Sequence, residues 1–176
     1  MKSSQANRGQ AFEQLLNYTN GQYEKAGIAL IHKRPTPIKA TKTKGSRVLA
    51  GYFEEKSTVD YDGVYRGRAI YFEAKSTREK TRFDLANISQ HQMEHLEKAE
   101  RNGAICFFLI EFTAYKATYF VPLSFIRLAM VNAQNGGRKS IPIDDFEIYG
   151  YLVEQTKRAV VDYLLHIDRL IGEGAA

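Results

Sequence analysis

Residues 58–75 read TVDYDGVYRGRAIYFEAK, and this stretch decides the fold that the sequence predicts. The dipeptide Arg66-Gly67 separates residues 58–65 from residues 68–75. Both segments alternate in polarity or are rich in aromatic residues, which predicts a β-hairpin with a two-residue turn. Asp62-Gly63 is the competing turn, but it would leave the later glycine inside one long strand. The sequence therefore favours a hairpin that bends at Arg66-Gly67.

The register that follows from this turn brings charged side chains together. Asp60 lies directly opposite Glu73, and Thr58 lies opposite Lys75. Directly opposed like charges destabilise a hairpin unless something compensates them, and a divalent cation is the obvious compensation. Alternation places Glu73 and Lys75 on one face of their strand, whereas the other face is apolar and carries Ile70, Phe72 and Ala74. We therefore expect the apolar face to pack and the charged face to bind Mg²⁺ or Mn²⁺, which prefer oxygen ligands.

The rest of the chain alternates predicted helices and strands around this hairpin. Apolar residues at helical spacing predict a first helix that begins after Asn7, a good N-cap, and ends near Gly27. Ser89 and Gln92 form a capping-box pattern for a helix that Asn102-Gly103 ends. Further strands are expected at 28–31, 104–112 and 117–121, and further helices at 122–134 and 156–171. This order predicts one α/β domain, residues 1–176, with a mixed β-sheet flanked by helices.

A basic segment follows the first short strand. It contains two prolines, Pro35 and Pro37, and over residues 33–47 it contains no acid. A solvated surface loop is the simplest interpretation of such a charge run, but long loops in compact domains are often functional. We interpret the stretch of about 33–55 as a protruding loop whose cations contact DNA: Lys33, Arg34, Lys39, Lys42, Lys44 and Arg47.

Composition narrows the class of protein. The chain has 176 residues, of which 44% are hydrophobic and 26% charged, and a formal net charge of +5. This charge is compatible with a polyanionic partner, although a basic protein without one would look the same. The single cysteine, Cys106, excludes an intrachain disulfide, and the sequence has neither a signal-peptide pattern nor a stretch that could span a membrane. A cytoplasmic protein is expected.

Asp60 followed by Glu73-Ala74-Lys75 resembles the PD-(D/E)xK nuclease superfamily, which has the restriction-endonuclease-like fold. The nearby Glu54-Glu55-Lys56 repeats the bare pattern but lacks a facing acid and an apolar strand, so we interpret it as a solvated charge cluster. The wider pattern is similar to RecU-type Holliday junction resolvases from about residue 7 to 170. The matching segments are Asn7-Arg8-Gly9 to Leu16, residues 57–61, residues 72–75, His91-Gln92 and Glu94-His95.

This resemblance implies a function and a site. RecU-like enzymes are homodimers that cut four-way DNA junctions beside recombinase and branch-migration proteins, and a stalk enters the centre of the junction. The stalk corresponds here to the basic segment. The resemblance implies that Lys75 stabilises the transition state and that four side chains hold the metal: Thr58, Asp60, Glu73 and Gln92.

Two assignments in this site stay open at the sequence level. Gln92 could serve only to cap its own helix at Ser89. Glu13 is a further candidate ligand, because archaeal resolvases use a glutamate of the first helix, but we interpret it as an exposed helical acid and do not assign it to the site.

Three rival functions compete with the junction nuclease. His91 to His95 spell H-x-x-E-H, the pattern of inverted zinc peptidases, but this interpretation leaves Asp60, Glu73 and Lys75 without a role. A non-catalytic DNA-binding module would use the basic segment and carry a vestigial nuclease pattern. A nuclease that cuts duplex DNA would share both the fold and the chemistry.

Overall fold

The computed structural model describes residues 5–53 and 58–173, with side chains described for 9–53 and 58–172. Within these ranges five α-helices span Gln5–Lys25 (α1), Gln90–Arg101 (α2), Leu123–Gln134 (α3), Ile143–Tyr149 (α4) and Leu164–Glu173 (α5). Ten β-strands span Leu30–Lys33 (β1), Ile38–Lys44 (β2), Arg47–Phe53 (β3), Tyr61–Tyr65 (β4), Arg68–Thr77 (β5), Arg82–Asp84 (β6), Ile105–Phe112 (β7), Ala117–Pro122 (β8), Ser140–Pro142 (β9) and Tyr151–Leu152 (β10).

One six-stranded mixed sheet organises the fold, in the order β1-β4-β5-β7-β8-β10. β5 and β7 run parallel, and the other neighbouring strands run antiparallel. A parallel pair needs a crossover connection, and α2 lies in the connection between β5 and β7. This confirms the predicted mixed sheet flanked by helices.

Both faces of the sheet are covered by apolar side chains. Phe72 and Phe107 point into one core, which α1 and α5 close with Leu16 and Ile167. The opposite core packs between the sheet and α2, α3 and α4, with Phe108 at its centre. The strand β7 is buried on both sides, as expected for its uninterrupted apolar sequence. None of the described helices combines the length and the apolar character needed to cross a membrane.

The hairpin β4–β5 has the predicted register. Arg66 and Gly67 both have positive φ angles, 48° and 71°, as a type I′ turn requires. The competing turn at Asp62-Gly63 does not form, because Gly63 pairs with Ile70 in the middle of the hairpin. A Cβ atom at Gly63 would lie 2.1 Å from the backbone oxygen of Leu30, so glycine lets β1 approach β4 closely.

Several predicted boundaries were wrong. β4 begins at Tyr61 rather than at residue 58, the first strand runs over Leu30–Lys33 rather than 28–31, and α1 begins ahead of Asn7, which therefore is not its N-cap. The last helix begins at Leu164 rather than at 156, because the side chains of Thr156 and Arg158 both donate hydrogen bonds to Asp162 and hold this segment in a turn.

The basic segment forms a β-hairpin rather than a loop. β2 and β3 make a separate two-stranded sheet in which every residue is exposed. These strands contain two threonines and one each of isoleucine, valine, tyrosine and phenylalanine. Such residues favour extended structure, but the neighbouring prolines and lysines obscured this signal in the sequence. The nearby Glu54-Glu55-Lys56 lies outside the described residues.

Candidate active site

The two predicted acids lie side by side at the start of the β4–β5 hairpin. Asp60 precedes β4, and its Oδ2 accepts a hydrogen bond of 3.0 Å from the backbone N–H of Ala74. This bond extends the hairpin register beyond the end of the strand and holds the Asp60 carboxylate next to Glu73. The juxtaposition that the sequence predicted is therefore present.

Glu73 is completely buried, with 0% of its surface exposed. Glu73 does not face open solvent, because α2 packs against this part of β5 and its Gln92 contacts the carboxylate. Burial raises the pKa of Glu73 to about 8, and the charge of Asp60 adds to this increase while Lys75 opposes it. Its buried Oε1 has no hydrogen-bond partner among the described residues. A buried carboxylate oxygen without a donor, beside a second carboxylate, is a position that a cation would stabilise.

Lys75 approaches the other carboxylate oxygen of Glu73. Its Nζ lies 2.9 Å from Glu73 Oε2 and donates a hydrogen bond of 3.1 Å to Gln92 Oε1. The ammonium is mostly buried, and the short ion pair fixes its position at the edge of the two acids. An amine held in this way is available to a negatively charged group that approaches the acids.

Gln92 acts both as a helix cap and as a neighbour of Glu73. Its Oε1 accepts hydrogen bonds from Ser89 Oγ at 2.8 Å and from the Ser89 backbone N–H at 3.2 Å. Its Nε2 donates a hydrogen bond of 2.5 Å to Glu73 Oε2. Gln92 therefore caps its helix, and the same side chain also reaches Glu73 from α2.

Thr58 lies beside an arginine that the sequence analysis assigned to DNA. Arg34 Nη1 donates a hydrogen bond of 2.7 Å to Thr58 Oγ1, and Arg34 Nη2 lies 3.0 Å from Asp62 Oδ2. The backbone N–H of Arg34 also donates to the carbonyl oxygen of Asp60 at 2.8 Å. Sequence reasoning missed Asp62, although its spacing of two residues from Asp60 placed both acids on the same face of the strand.

The other cations divide into two groups. Lys33 pairs with Glu13 of α1, whose carboxylate is thereby engaged. The remaining four lie on the β2–β3 hairpin, and the paired positions share one face: Lys39 with Tyr52, Lys42 with Ala50, and Lys44 with Arg47. Lysines 39 and 42 would fall on opposite faces of a regular strand, but the bulge between Ala40 and Lys42 returns them to the same side.

The H-x-x-E-H residues do not converge on a common point. Glu94 is exposed and accepts a hydrogen bond from Gln90, whereas the His95 ring packs edge-on against Tyr71 at 5.7 Å. In residues 5–53 and 58–173, no three side chains of histidine, cysteine, aspartate or glutamate come together as a metal cluster. A metal in this site would therefore depend on two carboxylates together with neutral oxygen donors.

Two acids and a lysine on a hairpin at the middle of a mixed sheet are the arrangement of the PD-(D/E)xK class of nucleases. The chain belongs to the RecU family: the family model described as Recombination protein U matches residues 7–169. The curated relatives include the Holliday junction resolvase RecU of Streptococcus gordonii, 43% identical over 164 residues that make up 90% of this chain and 81% of that protein.

A second relative and one solved structure are also similar to this chain. The Holliday junction resolvase RecU of Geobacillus kaustophilus is 40% identical over 171 residues, 94% of this chain and 85% of that protein. Among solved structures, Hjc of Archaeoglobus fulgidus, a Holliday junction resolvase, aligns with a TM-score of 0.39 and 18% identity, covering 66% of this chain and 74% of that one.

Proposed function

We propose that this protein cleaves four-way (Holliday) DNA junctions by metal-dependent phosphodiester hydrolysis, in homologous recombination and DNA repair. The single observation that carries the proposal is the buried, unpartnered Oε1 of Glu73 beside Asp60 and Lys75. The proposed substrate is based on the names of the relatives in Streptococcus gordonii and Geobacillus kaustophilus, which are called Holliday junction resolvases. We propose that residues 1–176 form one nuclease domain that acts in the cytoplasm.

The oxygen donors around Glu73 suit Mg²⁺ or Mn²⁺. Asp60 and Glu73 would supply charge, and the Thr58 hydroxyl and Gln92 amide would supply neutral oxygens. A bound divalent cation provides a water of lowered pKa and neutralises negative charge that develops on the phosphate. For Gln92, this role requires its Oε1 to exchange Ser89 and Lys75 for the cation.

Lys75 would act on the phosphate side of the site. Its ion pair with Glu73 holds the ammonium 2.9 Å from the carboxylate, so the ammonium does not need to move when a phosphate binds. A preorganised cation stabilises the charge of the transition state more than the charge of the ground state. Asp60, held by the Ala74 N–H, and Glu73, held by Gln92, keep their carboxylates fixed during the reaction.

The β2–β3 hairpin would form the stalk that binds branched DNA. Its basic face carries Lys39, Lys42, Lys44 and Arg47 together with the aromatic ring of Tyr52. Clustered cations on one face neutralise neighbouring phosphates and release their counterions. Lys33 and Arg34, at the base of the hairpin, would extend this surface towards the site.

We further propose that the protein is a homodimer in which the apolar face of the hairpin is covered by the second copy. That face pairs Ile38 with Phe53, Ala40 with Gly51, and Thr43 with Val48. Phe53 is 70% exposed, Ile38 57% and Val48 53%, and an isolated two-stranded hairpin is at best marginally stable in water. Two sites related by a twofold axis would cut two strands of a junction symmetrically.

The test is cleavage of a synthetic four-way junction in Mg²⁺, in Mn²⁺ and in EDTA, with a linear duplex of the same sequence beside it. We expect metal-dependent cleavage of the junction, and a loss of at least about 100-fold for each of Asp60→Ala, Glu73→Gln and Lys75→Ala. Glu24→Gln, at an exposed helical glutamate, is the matched control and should cut normally.

Three outcomes would favour the rival functions. Junction binding without cleavage in either ion would favour a non-catalytic DNA-binding module. Equal cleavage of the linear duplex would favour a duplex-cutting nuclease. Zinc in the purified protein together with hydrolysis of casein would instead favour the peptidase interpretation of the H-x-x-E-H residues.

A further inference from the structure

Arg34 is held by a specific set of neighbours next to the two acids. Its guanidinium donates to Thr58 Oγ1 at 2.7 Å, pairs with Asp62 Oδ2 at 3.0 Å and lies over the ring of Tyr71, 5.9 Å from the centroid. The ring of Tyr71 is supported in turn by His95 of α2. Each terminal nitrogen of Arg34 therefore has its own partner, and the guanidinium also lies over an aromatic ring. This arrangement suits the planar, forked guanidinium and not an ammonium.

The position of Thr58 depends on this arginine more than on the sheet. β4 begins only at Tyr61, so Thr58 has no strand partner to orient it. The hydrogen bond from Arg34 is the side-chain contact that fixes its hydroxyl, and the backbone bond from Arg34 to Asp60 ties the same segment to the end of β1. An accepted hydrogen bond uses one lone pair of Oγ1 and leaves the other available.

A positively charged guanidinium beside a metal site would normally weaken the binding of the metal ion. Asp62 removes this conflict, because its carboxylate neutralises Arg34 at a distance of 3.0 Å. Asp62 lies two residues from Asp60 on the same face of the hairpin, so it reaches Arg34 without displacing the acids of the site.

We infer that Asp62 and Arg34 are positioning residues of the metal site: Asp62 holds and neutralises Arg34, and Arg34 fixes the Thr58 hydroxyl. The inference rests on the proposed function, because it assigns Thr58 to the metal. Partners of this kind orient the ligands that touch a metal, and their removal typically weakens metal affinity by about 10- to 100-fold.

The test measures metal binding directly, in the absence of DNA. The concentration of free Mn²⁺ is measured by electron paramagnetic resonance during titration of the protein, for wild type, Asp62→Ala, Arg34→Met and the double variant. We expect the Kd for Mn²⁺ to increase by about tenfold or more in each single variant. Because Asp62 acts through Arg34, adding Asp62→Ala to Arg34→Met should change the Kd little further.

Two matched variants separate positioning from general damage. Asp84→Ala removes another aspartate that pairs with an arginine, on a different sheet, and should leave the Kd unchanged. Arg34→Lys keeps the charge but cannot make both contacts, so it should resemble Arg34→Met. Thermal melting in EDTA identifies any variant that is unfolded.

Three results would overturn the inference. The first is a folded Asp62→Ala variant with the wild-type Kd for Mn²⁺. The second is rescue of the Kd by Arg34→Lys. The third is an Arg34→Met variant that binds Mn²⁺ normally but binds junctions poorly in EDTA, which would leave Arg34 with its DNA contact as its only role. Failure of the proposed function looks different, because wild-type protein would then neither bind Mn²⁺ nor cut junctions.

Discussion

At the scale of single residues, the burial of the Glu73 carboxylate is the main destabilising feature of the site. A carboxyl group buried beside Asp60 prefers to keep its proton, and burial raises its pKa from the ordinary value of 4.5 to about 8. Lys75 and Gln92 both contact one carboxylate oxygen, and the other oxygen has no partner among the described residues. A buried carboxylate oxygen without a partner in the chain is typical of a functional site whose positively charged partner binds from outside the chain.

The raised pKa of Glu73 predicts how the stability of the metal-free protein depends on pH. Between pH 4.5 and about 8 the folded state keeps a proton that the unfolded state has lost, so the free energy of unfolding decreases as the pH rises. The total change is on the order of a few kcal/mol, since one pKa unit corresponds to about 1.4 kcal/mol.

Urea unfolding in EDTA at several values between pH 5 and pH 8 measures this dependence. Glu73→Gln cannot titrate, so its free energy of unfolding should decrease less over this range than that of wild type. The exposed Glu24→Gln variant is the control and should follow wild type. Parallel curves for wild type and Glu73→Gln would contradict the prediction.

At the scale of elements, the β2–β3 hairpin carries its cations on one face and its apolar side chains on the other. Its two bulges gather the cations on one face and leave an apolar face behind. The spacing of the lysines along the chain does not indicate this segregation, since alternation in a regular strand would divide them between both faces.

Neutralising the basic face should weaken junction binding and flatten its dependence on salt. In a Lys39→Ala, Lys42→Ala, Lys44→Ala variant we expect the slope of log K against log salt concentration to fall by up to about 3. The control changes three exposed lysines elsewhere, Lys116, Lys139 and Lys157, to alanine. Fluorescence anisotropy in EDTA at several salt concentrations gives both slopes, and equal slopes for the two triple variants would exclude the hairpin from the DNA contact.

At the scale of the whole molecule, a buried network joins distant parts of the chain. Arg158 lies 2.8 Å from Asp162 and 3.1 Å from Asp168 of α5. Tyr23 of α1 donates to Asp162, and Tyr65 of β4 donates to Asp168. Burial alone would raise the pKa of Asp162, but hydrogen bonds from Arg158, Thr156 and Tyr23 hold the pKa below its ordinary value.

Removal of Arg158 should destabilise the entire fold. Arg158→Ala leaves the 2% exposed Asp162 without its cation, and breaking a buried ion pair in this way costs about 3 kcal/mol. Urea unfolding at neutral pH measures the loss, with the exposed Arg169→Ala of α5 as control. An effect no larger than that of Arg169→Ala would show that the network contributes little.

The apolar face of the hairpin predicts the state of assembly. Phe53→Ser removes its most exposed large side chain and should shift the protein from dimer towards monomer in analytical ultracentrifugation. Tyr115→Ser, at an exposed aromatic residue of the β7–β8 turn, is the control and should sediment like wild type. A monomeric wild type, or a Phe53→Ser variant that stays dimeric, would contradict the proposed dimer.

Local patterns in the sequence determined the β4–β5 hairpin, its register and the capped helix α2. Each depends on residues close in the chain: the turn at Arg66-Gly67 sets the pairing of Asp60 with Glu73, and Ser89 with Gln92 begins the helix. The order of the main helices and strands followed from the same short-range periodicity.

The tertiary structure alone decided what surrounds these elements. Burial of Glu73 depends on α2 packing across β5, and the partnership of Arg34 with Asp62 depends on β1 pairing with β4. The turn at 156–163 forms because Asp162 accepts hydrogen bonds from segments that are far apart in the chain, such as those of Tyr23 and Thr156. The physical reason is the same in each case: these contacts join residues separated by long stretches of chain, and local periodicity carries no information about which distant partner an element meets.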